Sequence, residues 1–446
     1  MNLDQIHSST VLLRVSFDIP NFDDVSRIKD ALPTIQRLLE QKNQIIIVTK
    51  WGKVKEIPEI DKMHENKLST RKLLRVFVDE LWKSLPKNLL ENIQNENQET
   101  KKNEENQPKP VAVYVNQFAC GDFEELKNQI QSQYFDGGRS QIILLENTHF
   151  DKREKSKNAS ERLEIASKYA GLADNFVDEA FASSHRMEAT NSEIKTLLPN
   201  SLGISYQNEV QNLEKLKINP QKPLVVIMGG AKLETKLPLL ERLLPIADKI
   251  LVAGVLVFTF IKAAKLNQKA NQIEKENNSQ NSQNSQKNSE NPNSTINSTN
   301  SDLENGQISE QILPEIFDST VEEDFVPIAR ELLKKYSDKI VLPVDFVYEK
   351  NEKGKFAYDI GNSTIELFGK NINEAKTLFW NGPMGFFEKK PFDKGTFEVA
   401  KIITQNKNCY SVLGGGDTNS ALGKDILNQF GFVSMAGGAT LDFLSK

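Results

Sequence analysis

Cysteine is nearly absent: Cys120 and Cys409 stand far apart in a chain of 446 residues. They form no CxxC pair, which excludes a disulfide framework and a thiolate zinc cluster, so both read as small core residues. No apolar run approaches the roughly 18 residues a membrane-crossing helix needs, so no membrane partner is expected. There is no excess of cations either, with 56 Lys and Arg against 61 Asp and Glu and a net charge of -5. That removes the global field of a non-specific nucleic-acid binder, and any anion site must be local. Met1 to Thr10 is polar, without the basic flank and apolar core of a signal peptide, and a cytoplasmic protein is expected. What is present is length enough for two or three domains at roughly 150 residues each.

Short apolar runs recur at Val11–Phe17, Gln44–Val48, Val111–Val115, Gln141–Leu145, Leu224–Met228, Lys249–Ala253, Thr377–Trp380 and Tyr410–Leu413. Between them, apolar residues at three- and four-residue spacing predict helices at Ser26–Lys42, Ser69–Lys83, Ser160–Ala170, Lys232–Ala247, Phe325–Lys335 and Gly395–Thr404. Strands separated by helices mean parallel sheets with crossover helices, an α/β class. Pro199–Ser201 reads as a turn, followed by a polar helical pattern to Lys217, and Asn219-Pro220 opens a strand-first unit. The expected division is therefore a first domain over 1–200, a joining helix over 201–218 and a second domain over 219–446. Glu91–Pro110 and the Asn/Gln/Ser-rich tract Asn267–Gln307 carry too few apolar residues to fold and read as solvated insertions.

Glycines cluster after strands in the second half: Gly229-Gly230-Ala231-Lys232, Gly414-Gly415-Gly416-Asp417-Thr418 and Gly437-Gly438-Ala439-Thr440. A glycine at the carboxyl end of a parallel strand lets backbone N–H groups approach a phosphate closely. Neither GxGxxG nor GxxxxGK[ST] occurs, so each turn alone is ordinary, while the three together favour a nucleotide. Lys232 and Lys236 lie four apart at the expected helix start, where two ammonium groups on one side repel unless an anion sits between them. Asp417 reads as a helix N-cap, as a ligand to the Mg²⁺ that accompanies ATP or ADP, or as both. Trp380-Asn381-Gly382-Pro383-Met384-Gly385 is a rigid turn able to place the Asn381 amide on a ligand. His7 and His64 read as uninvolved, and Trp51 either covers a site beside Gly52 or packs on a neighbouring helix.

In order and spacing, Val226–Lys236, Leu342–Val347, Asp359–Gly361, Phe379–Glu388, Leu413–Thr418 and Ser434–Leu444 resemble the carboxyl domain of the phosphoglycerate kinase family. Val11–Pro20, Arg27–Ile35, Ile142–Phe150 and Asp174–Arg186 resemble its substrate domain, with the two polar tracts as insertions. The resemblance implies two doubly wound parallel-sheet, Rossmann-like domains joined by a hinge helix. It further implies exchange of a phosphoryl group between 1,3-bisphosphoglycerate and ADP, the acid on the first lobe and Mg-nucleotide on the second. By that likeness Arg27, Lys236 and Gly415 carry catalysis, with Arg27 and Lys236 flanking the moving phosphoryl group. Gly229, Gly230, Ala231, Lys232, Asn381, Pro383, Gly414, Gly415, Gly416 and Thr418 would hold the nucleotide, Glu388 a ribose hydroxyl and Asp417 the magnesium. A monomer is expected.

The departures lie where the acid binds. The family's Arg-Val-Asp-Phe-Asn stands here as Arg14-Val15-Ser16-Phe17-Asp18, its Ser-His-Leu-Gly-Arg as Thr49-Lys50-Trp51-Gly52-Lys53, and its Glu-Asn-Leu-Arg-Phe as Glu146-Asn147-Thr148-His149-Phe150. Ala-His-Arg is nearly kept as Ser184-His185-Arg186. The implied substrate contacts are thus Ser16, Asp18, Arg27, Lys50, Lys53, His149, His185 and Arg186. Asp18 against Lys50, Lys53 and Arg186 sums to about +2, as the family's one acid and three arginines do, but with point charges in place of planar forks. On the adenine side a Gly-Gly-Gly-Met run has become Ala253-Gly254-Val255-Leu256, whose side chains would narrow the base pocket. A catalytically impaired relative, acting as a nucleotide-binding or structural component of a larger assembly, is the alternative reading.

Overall fold

The computed structural model describes residues 1–87, 89, 112–118, 122–135, 141–285 and 313–446. Strands β1 (Thr10–Val15), β2 (Gln44–Thr49), β3 (Ala112–Val115), β4 (Ile142–Leu145), β5 (Asn175–Asp178) and β6 (Asn200–Leu202) form a parallel sheet in the order β3-β4-β2-β1-β5-β6. Both faces of this sheet are covered, which is why its strands read as unbroken apolar runs rather than as alternation. Val11, Leu13 and Val15 pack into one core, together with the helices Ser26–Glu40 and Arg71–Ser84. Leu12 packs into the opposite core with the helix Ala159–Ala170.

The second half repeats the plan. Strands β7 (Leu224–Met228), β8 (Lys249–Val252), β9 (Ile340–Val341), β12 (Thr377–Asn381), β13 (Tyr410–Gly414) and β14 (Phe432–Ser434) form a parallel sheet in the order β14-β13-β12-β7-β8-β9. An antiparallel ribbon, β10 (Phe346–Asn351) with β11 (Gly354–Ile360), forms a separate two-stranded sheet. The chain thus folds as two parallel-sheet α/β units. By contacts they divide at Gln211/Asn212, inside the helix Ile204–Lys217. The start of that helix is held within the first unit, where Ile204 N–H donates to Thr34 Oγ1 at 2.7 Å and Ser205 N–H to Glu179 Oε1 at 2.9 Å.

Several local expectations change. Residues 200–202 are strand β6 rather than a turn, because Asn200 and Ser201 extend the ladder beside β5. The helix expected over Lys232–Ala247 is shortened to Leu237–Leu243, with Lys236 as its N-cap residue. Leu233 is fully buried and pins the preceding segment as a loop. The helix Val257–Ser285 runs into the polar tract, so residues 267–285 are helical. Its buried start, with Val257, Phe258, Phe260 and Ile261, supplies the nucleus from which helix propagates into residues of poor apolar content. Asn267 extends the anchorage by accepting from Arg330 Nε at 2.9 Å. The rest of that tract, Glu91–Pro110 and Cys120 lie outside the described residues. Cys409 is half-buried against the second core, and burial pushes its thiol up to about 11.

Candidate active site

In each sheet the strand order reverses beside the first strand, between β1 and β5 and between β7 and β12. Loops leaving the carboxyl ends of two such strands diverge, and the opening between them is where ligands of open α/β sheets bind. The expected site residues follow these strand ends in both units.

In the second unit the turns after β7, β8 and β12 touch backbone to backbone. A Cβ on Gly229 would lie 2.3 Å from the Pro383 carbonyl oxygen, one on Gly382 2.2 Å from the Gly229 carbonyl carbon, and one on Gly254 2.5 Å from the Gly230 nitrogen. Gly382 and Gly254 also have φ of +94° and +67°, so glycine is required on both counts. Gly229 N–H donates to Asn381 O at 2.8 Å and Gly382 N–H to Thr418 Oγ1 at 2.8 Å, which locks the turns together. In front of them opens a cleft of about 360 Å³ that brings together Gly230, Ala231, Pro383, Glu388 and Asp417. Gly229, Asn381, Gly414 and Thr418 are buried in its frame, while Gly416 and Lys232 are exposed.

Lys236 is half-buried, and its ammonium donates to Asn381 Oδ1, whose amide Nδ2 donates to Gly414 O at 2.8 Å. Both ends of the Asn381 side chain thus have partners within the unit, and its carbonyl orients Lys236. Burial pushes the Lys236 amine down to about 8, opposed by the nearby Asp417 carboxylate. Lys232 and Lys236 do not share a helical turn as expected, since both precede the helix and only Lys236 turns inward. Asp417 is not the N-cap either: Gly415, at φ +111°, occupies that position, leaving Asp417 exposed in the first turn of Gly416–Ala421.

Of the altered adenine-side residues, only Val255 adds a side chain to the cleft, because Ala253 and Leu256 are buried in the core. The side chains that do shape the cleft were not anticipated: Phe258, Phe346, Tyr358 and Phe386 wall it. Phe258 and Phe346 meet at 5.5 Å and Tyr358 and Phe386 at 5.8 Å between ring centroids. For Phe346 and Tyr358 the signal was the alternation Phe346-x-Tyr348 and Phe356-x-Tyr358, which marks the β10–β11 ribbon. Asp359 also lines the cleft, with its carboxylate accepting from Gly395 N–H at 2.7 Å and burial pushing it up to about 7.

In the first unit the expected residues gather around two carboxylates. Asp18 accepts from Lys50 Nζ at 2.5 Å and from Gly52 N–H at 2.7 Å, with Arg27 Nη1 at 3.9 Å. Burial works against its charge, but these donors hold Asp18 below the ordinary aspartate value. Burial also lowers the Lys50 amine, against the pull of Asp18. Glu188, which the sequence reading passed over, lies 3.1 Å from Arg14, 3.2 Å from His149 and 3.9 Å from Arg186. Burial alone would raise it, yet the His149 hydrogen bond and the Arg14 charge outweigh that and hold it down at about 2. The Ser16 hydroxyl is buried with no partner among the described residues. Lys53 is exposed and His185 half-buried.

Trp51 packs rather than covers. It is 7% exposed, its indole N–H donates to Ile19 O at 3.0 Å, and it meets the Phe22 ring at 5.7 Å. Asn147 clamps it, accepting from Trp51 N–H at 3.2 Å and donating to Trp51 O at 2.8 Å. Trp51→Phe is expected to lower unfolding free energy by about 1 kcal/mol, because Ile19 O loses its buried donor. Urea denaturation checks this.

The family model for phosphoglycerate kinase matches residues 2–307 and 308–446. The chain belongs to the phosphoglycerate kinase family. The phosphoglycerate kinase of Mycoplasma genitalium is 31% identical, over 97% of this chain and 92% of its own length. That of Malacoplasma penetrans is also 31% identical, over 100% of this chain and 83% of its own. Among solved structures, phosphoglycerate kinase from Coxiella burnetii superposes with a TM-score of 0.69 at 25% identity, covering 100% of this chain and 94% of that one. Among the described residues no helix is long and apolar enough to cross a membrane.

Proposed function

We propose that this member of the family transfers a phosphoryl group between 1,3-bisphosphoglycerate and ADP, and in reverse between ATP and 3-phosphoglycerate, as a glycolytic enzyme. The observation that carries this reading is Lys236, a half-buried amine oriented by Asn381 beside a cleft framed by glycine turns. Such an amine is costly to bury and finds its compensation in an anion. The cleft suits a nucleotide: aromatic and apolar walls for the base, Glu388 at the rim for a ribose hydroxyl, and the Gly229–Ala231 and Gly414–Gly416 backbones for phosphates.

Among the described residues no group of three or more His, Cys, Asp or Glu is placed to hold a metal ion. One carboxylate at the cleft, Asp417, fits a Mg²⁺ that arrives on the nucleotide phosphates and keeps most of its other ligands. When bound, the ion offsets phosphate charge. Asp417→Asn is accordingly expected to raise KM for MgADP about tenfold or more, with an increased requirement for free Mg²⁺, read by initial rates in a magnesium titration. In-line transfer needs little covalent chemistry from the protein, only positioning and charge. Lys236 and Arg27 would flank the moving phosphoryl group and offset its equatorial charge. Lys50, Lys53 and Arg186 would hold the acid.

The test is a coupled assay of the purified protein with 3-phosphoglycerate and MgATP. Turnover well above that of a Lys236→Ala control supports the reading. Turnover equal to the control rejects it.

A further inference from the structure

The first unit carries a feature that its proposed substrate does not explain. An anion site is expected to leave its cations available, yet here the most buried of them are already engaged. Arg14 is 0% exposed and donates from Nη2 to Glu188 Oε2. His149 is 5% exposed and contacts Glu188 Oε1 through Nε2. Arg186, itself exposed, reaches the same oxygen at 3.9 Å. Glu188 is 3% exposed and accepts from the Asn191 amide at 3.4 Å as well. Glu154, another carboxylate that acts on Arg14, is pushed up to about 8 by burial, which favours its neutral form. Glu188 is thus the ionised partner of Arg14. Two polar atoms at the end of β1, Arg14 Nε and Ser16 Oγ, are buried without partners among the described residues.

We propose that Glu188 is an internal counter-anion of this site: its carboxylate holds Arg14 and His149 and reaches Arg186, so an incoming phosphate must compete with it for the same cations. Glu188 is then a specificity determinant that weakens the hold on doubly charged anions. In the charge arithmetic Glu188 and Arg14 enter together and cancel, leaving the sum near +2 while withdrawing donors from the substrate. The proposal rests on the reading of these strand ends as the seat of a phosphorylated acid, but the competition can be tested with inorganic phosphate alone.

The experiment is a thermal-unfolding titration of the full chain with inorganic phosphate, in wild type and Glu188→Gln. Midpoint shifts give apparent dissociation constants through mass action. The constant is expected to fall about tenfold or more in Glu188→Gln, and folding of that variant only when phosphate is present would equally support the competition. An unchanged or weaker phosphate affinity overturns it. Should Glu188→Gln stay unfolded in every buffer, Arg14→Gln/Glu188→Gln removes the pair together. Phosphate is then expected to bind this double variant more tightly than wild type through His149, Lys50 and Arg186, and equal binding overturns the proposal. Wild-type turnover of 3-phosphoglycerate no greater than the Lys236→Ala control would reject the kinase reading, while the phosphate contrast would stand on its own.

Discussion

Lys236→Ala is expected to lower kcat by about 10²–10³-fold, the usual loss when one preorganised donor to transition-state charge is removed. The same residue gives a pH signature whose sign is fixed by burial. Its amine titrates near 8 in the folded protein against an ordinary value of 10.5. Below about pH 8 the folded chain therefore carries a disfavoured buried charge, and that penalty is relieved as pH rises from about 8 towards 10.5. A bound phosphate favours the charged form, so MgADP binding takes up a proton and weakens as pH rises through about 8. Calorimetric titrations at pH 7 and pH 9 should show the loss in wild type and a much flatter profile in Lys236→Ala. Lys236→Met should melt higher than wild type at pH 7, with the advantage shrinking towards pH 10.

Gly382→Ala is expected to destabilise the second unit by about 2–5 kcal/mol, adding overpacking to strain at positive φ. The new methyl would sit 2.2 Å from the Gly229 carbonyl carbon and 2.7 Å from the Gly230 nitrogen, backbone atoms that cannot rotate away. Moving them displaces the turns that frame the cleft, so nucleotide binding falls together with stability. Gly416→Ala is the matched control, because nothing lies within 4 Å of its added Cβ. It is expected to leave stability unchanged or slightly raised, as alanine favours the helix it starts. Denaturant unfolding of both variants checks the stability contrast, and nucleotide titration of Gly382→Ala checks the loss of binding.

The apolar runs marked the central strands closely because a sheet covered on both faces needs apolar residues at every position. Peripheral strands were less legible. β6 has only Asn200, Ser201 and Leu202, and its extended form comes from pairing with β5 rather than from propensity. The helix Leu237–Leu243 was drawn too long because Leu233 fits the helical spacing by number, although its buried side chain belongs to a loop. The glycine turns were legible as turns after strands, but the mutual backbone approach of Gly229, Gly254 and Gly382 was not, because it joins three separate strand ends. The bonds of Asn381 to Lys236 and Gly414 were not legible, because spacing shows that an amide is near a strand end without showing what it bonds to. Glu188 was missed because its meaning depends on Arg14 and His149, which lie far from it in the sequence and come from other strand ends.

The interlocked turns at Gly229, Gly254 and Gly382 also say something about inheritance. A surface built from peptide groups is written into a gene chiefly as the omission of side chains, and every residue type except proline brings the same N–H and C=O. Side chains elsewhere in the molecule, the imidazoles, guanidiniums and carboxylates of the first unit among them, can therefore be exchanged without touching this colourless floor, so long as its glycines stay.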